Sequence, residues 1–145
     1  MLLNHCTIPL VHFLRYYILY LNLFLSSLMV LAMNILFLCT SNLHRSRTAE
    51  DYFKSVEKNH VFQSAGLSEK YCAKYGTQLC SVEMLKWADK IFVMESLHAN
   101  RIRQYAGEHY LAKVEILHIS DIYKYMQPEL LDKLKSNVHL QFMSL

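Results

Sequence analysis

From Met33 onward, short apolar runs alternate with amphipathic stretches, and this alternation constrains the fold of the chain more than any other feature. Runs at 34–38, 61–64, 90–94 and 114–119 have the length and apolar character of buried strands. The intervening stretches 46–58, 77–87, 96–105 and 128–136 read as helices. Ala49, Phe53 and Val56 recur at helical spacing on one face, as do Leu79, Val82 and Leu85. Pro128 suits a first helical position, where its missing N–H costs nothing. Strands alternating with helices imply an α/β fold, a doubly wound four-stranded parallel sheet with helical crossovers.

Composition narrows the class further. The 145 residues are 53% hydrophobic, enough for one domain with a true core, and three Gly with two Pro exclude a linker or collagen-like chain. Fifteen basic residues against 12 acidic leave a net charge of +3, with no run of five like charges, which argues against nucleic acid as a partner. Cys6, Cys39, Cys72 and Cys80 form no CxxC pair, so the thiols read as reduced and the location as cytoplasmic.

Residues 1–32 differ in character, with Arg15 as their single formal charge, and set the organisation as an apolar N-terminal extension, 1–32, followed by a domain, 33–145. The run from Tyr16 to Ala32 is at the short end of what spans a bilayer, and Val30 and Ala32 have the small-residue spacing of a signal cleavage site. Against both, the run passes without a linker into a strand pattern. The alternatives are a natural start at Met33, a membrane anchor or a cleaved signal; a membrane partner enters only through this segment.

The chemistry gathers in Cys39-Thr40-Ser41-Asn42-Leu43-His44-Arg45-Ser46, which follows a strand and opens a helix. Such a turn directs successive backbone amides into a concave nest at the positive end of the helix, a seat for a phosphate dianion. Thr40, Ser41, Asn42, Leu43 and His44 would supply that nest. Cys39 shares the field, which favours the nucleophilic thiolate. Arg45 offers two oxygens a planar fork, and Ser46 can hydrogen-bond the sulfur. These parts suit displacement at phosphorus through a cysteinyl-phosphate. The plain alternative for Cys39 is a buried structural thiol.

The extended string Cys39-Thr40-Ser41-Asn42-Leu43-His44-Arg45-Ser46-Arg47-Thr48-Ala49-Glu50 resembles the signature of the low-molecular-weight protein tyrosine phosphatase family. There the loop runs Cys-x-x-Asn-x-x-Arg-Ser and is followed by Pro-x-Ala-Glu. The resemblance implies a phosphotyrosine phosphatase I-like fold, with Cys39 as nucleophile, Arg45 as phosphate clamp, Asn42 as loop-shaping residue and Ser46 as thiolate stabiliser. Ser64-Ala65-Gly66 resembles the family's Ser-Ala-Gly, which implies that Ser64 braces the loop. Residues 87–95 and 125–130 are similar to a short prokaryotic branch of predicted phosphatases. Asp121-Ile122-Tyr123 resembles the family's Asp-Pro-Tyr, which implies Asp121 as general acid and Tyr123 as a wall of the substrate pocket. Asp121 also suits a turn cap. The pattern departs at His44, where the family often has a second Cys, and at Arg47, which replaces Pro and adds a charge at the mouth.

The expected activity is therefore a cysteine-dependent phosphatase acting on phosphate monoesters, of phosphorylated proteins or small molecules, with phosphotyrosine implied by the resemblance. No metal and no cofactor are called for, because amides and Arg45 supply the charge. Eight scattered His form no ligand cluster in the sequence. Two alternatives stay open. A thiol-dependent arsenate reductase would need Cys72 and Cys80 as a relay, although these precede the third strand whereas the reductases carry theirs after it. A non-catalytic oxyanion-binding or interaction module would keep the loop without turnover.

Overall fold

The computed structural model describes residues 9–28 and 32–142, and the chain divides into two units, Met1–Leu31 and Ala32–Leu145. In the first, helix α1 (Pro9–Leu28) carries exposed Phe13, Tyr16, Tyr17 and Tyr20. Among the described residues no helix is long and apolar enough to cross a membrane. Residues 29–31 of the apolar run, Val30 of its cleavage-like spacing among them, fall outside the described residues.

The second unit is the α/β fold that the alternation predicts. Strands β1 (Asn34–Cys39), β2 (Val61–Gly66), β3 (Lys90–Val93) and β4 (Val114–Ile116) form one parallel sheet in the order β2-β1-β3-β4. Helix α2 (Arg45–Val56) links β1 to β2, α3 (Glu69–Tyr75) and α4 (Val82–Trp87) lead to β3, and α5 (Ser96–Ala106) with the 3-10 helix Glu108–Lys113 leads to β4. The last helix, α6, spans Pro128–Phe142.

The central position of β1 follows from its unbroken apolar sequence, since only a strand covered on both faces hides every side chain. Period-two alternation sends Ile35 and Phe37 into one core, with Phe53 of α2 and Leu130 and Leu134 of α6. Leu36 and Leu38 enter the other, with Leu85 of α4 and Ile102 of α5. Phe37 anchors the first core, its ring 5.6 Å from Phe53 and 5.5 Å from Phe92. Winding from β1 outward in both directions puts the switch in strand order between β1 and β3, where open sheets leave a crevice at their carboxyl ends.

Several boundaries differ from the sequence reading. The expected helix 77–87 is only α4, because the Cys80 N–H donates to the Gly66 carbonyl at 2.8 Å and Leu79 bridges to Gly66. A separate helix, α3, precedes it, capped by Ser68 and ended by Gly76 in the left-handed conformation. Tyr71 and Tyr75, which flank Cys72, therefore stand on a helix. Strand 114–119 stops at Ile116, and His118 turns the chain with φ of 53°. Val56, expected on the core face of α2, is 57% exposed in the last position of that helix.

Gly66 shows how tightly the sheet end supports the loop after β1. A Cβ there would lie 2.8 Å from the Ser41 carbonyl carbon and 2.9 Å from the Thr40 carbonyl oxygen, and would overlap Cys72 Sγ. Gly66→Ala should destabilise the protein by about 1–3 kcal/mol, the usual cost of overpacking against backbone, read as a lower urea midpoint with unchanged m-value.

Candidate active site

The loop from Thr40 to His44 runs from the end of β1 into α2 at the switch point of the sheet. Its backbone is pinned from β2's side, where the Leu67 N–H donates to the Cys39 carbonyl and the Ser68 N–H to the Thr40 carbonyl, each at 2.9 Å. Thr77 Oγ1 donates to the Ser41 carbonyl at 2.5 Å. Asn42 takes φ of 52°, a left-handed conformation that Asn tolerates better than most residues, and so bends the loop back toward Cys39.

Cys39 is 3% exposed. Its sulfur accepts from the Asn42 N–H at 3.3 Å and lies 2.9 Å from Ser46 Oγ. Ser46 in turn donates to Asn42 Oδ1 at 2.7 Å, and Asn42 Nδ2 donates to the Ser64 carbonyl at 3.3 Å. Ser64 Oγ donates to Glu50 Oε2 at 2.5 Å, and Lys54 pairs with the other oxygen of that carboxylate. Ser64 thus links, through its carbonyl and its hydroxyl separately, the Asn42 side chain beside the thiol and a nearly buried carboxylate on α2. Leu43 is half-buried on the loop.

Arg45, 2% exposed, is held from three directions. Nη1 donates to Glu95 Oε1 at 2.5 Å and to the Ile119 carbonyl at 2.7 Å. Nε lies 3.1 Å from Asp121 Oδ1 as an ion pair, yet no acceptor meets it in hydrogen-bonding geometry. This enclosed donor is therefore paired in charge but makes no hydrogen bond among the described residues. The His44 side chain makes no capping hydrogen bond to α2.

Asp121 is two-thirds exposed, in the turn after β4, and its carboxylate lies beside Arg45. Tyr123 is half-buried and packs against the core under α6, while the Tyr125 hydroxyl donates to Asp51 Oδ2 at 2.8 Å. His44 is half-buried, and its Nδ1 accepts the Tyr125 N–H at 3.1 Å. Arg47 does not stand as a free charge at the mouth, since Asp51 pairs with it at 2.9 Å and raises its pKa.

Two residues with no assigned part in the sequence reading complete the arrangement. Glu95 caps α5, and its carboxylate accepts the His98 backbone N–H as well as Arg45. His98 is fully buried, its Nδ1 accepting the Glu95 N–H and its Nε2 lying 3.0 Å from Thr40 Oγ1. The available signal was Glu-x-x-His directly after a strand, which fits a cap at the carboxyl end of an open sheet. Burial, and then the charge of Arg45, lower the His98 pKa to about 4, so the ring is neutral at neutral pH.

A pH dependence of stability follows. Between about 6.5 and 4 the unfolded chain binds a proton at His98 that the folded chain refuses, so stability is lost as pH falls through that window, by on the order of 3 kcal/mol. In thermal melts, any advantage of the native protein over His98→Asn should shrink over the same range.

No family model matches the chain, and no curated protein matches it in sequence. Solved structures do match its fold. Wzb of Vibrio vulnificus, in complex with benzylphosphonate, is 20% identical with a TM-score of 0.63, covering 79% of this chain and 99% of that one. A YwlE mutant from Bacillus subtilis is 21% identical with a TM-score of 0.60, covering 78% and 98%. The low-molecular-weight protein tyrosine phosphatase of T. tengcongensis is 20% identical with a TM-score of 0.57, covering 79% and 100%.

Proposed function

We propose that this chain is a cysteine-dependent phosphatase of the low-molecular-weight protein tyrosine phosphatase family, hydrolysing phosphate monoesters, phosphotyrosine in proteins foremost. The observation that carries the reading is the buried Nε of Arg45, paired in charge with Asp121 yet without a hydrogen-bond acceptor, on the same loop whose Asn42 N–H donates to the Cys39 sulfur. A donor so buried is costly without an acceptor, and a phosphate oxygen is the acceptor that fits a guanidinium at a helix N-terminus. The fold likeness to the low-molecular-weight protein tyrosine phosphatase of T. tengcongensis agrees.

In this mechanism the Cys39 sulfur attacks phosphorus in line, the ester oxygen leaves, and Asp121 gives that oxygen a proton. Water, deprotonated by the same carboxylate, then displaces the thiolate and releases phosphate. The equatorial oxygens rest on the loop amides and Arg45, whose orientation is set in advance by Glu95 and the Ile119 carbonyl. Ser46 Oγ accepts from the resting thiol, and once Cys39 is a thiolate its hydroxyl proton can turn from Asn42 Oδ1 to the sulfur, 2.9 Å away.

The test is trapping: acid quench of the full chain with a radiolabelled aryl phosphate should leave label on Cys39. Hydrolysis without labelled protein would sink the covalent route. The reductase alternative is not favoured, because burial, with Cys72 nearby, pushes the Cys80 thiol up to about 12 and denies a relay its thiolate.

Asp121 faces a sharper test. Its carboxylate occupies the neighbourhood of the Arg45 Nε that phosphate would claim. Asp121→Ala should therefore bind inorganic phosphate at least as tightly as the native chain. It should also slow esters with poor leaving groups by about 10²–10⁴-fold while sparing activated aryl esters. Equal loss across leaving groups would return Asp121 to the role of a turn cap.

A further inference from the structure

His98 and Thr40 lie 58 positions apart, yet their side chains meet at 3.0 Å. The directions of the bonds at His98 determine each other. Because the Glu95 N–H donates to Nδ1, the ring proton resides on Nε2, which donates to Thr40 Oγ1. The cap is reciprocal, with the Glu95 carboxylate held by the His98 N–H and receiving Arg45 Nη1. One short turn after β3 therefore grips the phosphate loop at both ends, Thr40 at its entry and Arg45 at its exit.

We propose that His98 is a positioning residue of this site: its imidazole fixes Thr40 and, through the cap shared with Glu95, the Arg45 guanidinium, and so sets the gap between the Cys39 sulfur and the bound anion. The proposal rests on the phosphatase reading. His98 touches neither sulfur nor anion; it acts on the loop that holds both. A shift of the loop by a fraction of an ångström is enough to lower the rate, since in-line attack tolerates little misplacement.

Amide side chains separate the two bonds. His98→Asn keeps an acceptor where Nδ1 stands and loses the donor to Thr40, whereas His98→Gln keeps a donor at the reach of Nε2. Thr40→Val removes the partner at equal volume. On an aryl phosphate, His98→Asn and Thr40→Val should each lower kcat by about 10-fold, the worth of one buried hydrogen bond. The double variant should lose no more than either single one, and His98→Gln should recover most of the rate. KM should move less than kcat in all of them. Iodoacetamide alkylation of Cys39 at fixed pH, with and without inorganic phosphate, gives a second reading that needs no turnover: His98→Asn and Thr40→Val should share one altered rate.

Additive losses, or native kcat and native alkylation in His98→Asn, would overturn the proposal, as would a lower melting temperature with both readings unchanged. Failure of the phosphatase reading looks different, because the native chain itself would then show neither hydrolysis nor protection of Cys39 by phosphate. In that case unchanged alkylation in His98→Asn overturns the positioning role separately.

Discussion

Cys39→Ser should lose turnover on aryl phosphates by on the order of 10⁴-fold or more, the scale on which a covalent nucleophile is missed. Phosphate should still bind, because the loop amides and Arg45 remain. Stability should change little, since a hydroxyl can keep the partners of the sulfur, the Asn42 N–H and Ser46 Oγ. Steady-state kinetics beside phosphate protection in thermal melts separates the two effects. Full activity in the variant would move the chemistry away from Cys39; native phosphate binding in a native chain without turnover would instead identify an oxyanion-binding module.

Arg45 carries the second large effect, and it acts on both folding and catalysis. Arg45→Ala leaves the Glu95 carboxylate and the Ile119 carbonyl without their shared donor, and breaking such a pair typically costs about 3–5 kcal/mol. With Glu95 partly exposed, the lower end applies. The same change should weaken phosphate binding and slow turnover together, by on the order of 10³-fold in kcat/KM, because the guanidinium holds the anion before and during the transition state. Arg45→Lys provides a better-folded control. Its single ammonium can satisfy Glu95 or the anion but not both in the planar geometry of the fork, so stability should recover further than activity. Recovery of both would show that charge alone suffices at this position.

The conformation of the loop from Cys39 to Ser46 was legible in the sequence because its parts are neighbours. A strand, a left-handed Asn42, and a helix opening at Arg45 are local events, and the spacing from Cys39 to Ser46 returns a hydroxyl to the sulfur within one turn. The unbroken apolar run of β1 likewise announced a central strand with two covered faces. Glu95, His98 and Asp121 are a different matter, joining Arg45 and Thr40 over 50 positions or more. Nothing in the order of residues says which carboxylate an arginine will meet, because that depends on which strands become neighbours, and β3 lies beside β1 only once the sheet has assembled. The same physics split the expected helix 77–87, where the carbonyl of Gly66 took the Cys80 amide. Apolar periodicity and turn chemistry, acting over a few residues, determined the elements and the loop after β1. The tertiary structure decided what aims the guanidinium and what stands over it, since buried donors and acceptors are paired across the fold only when distant segments close on one another.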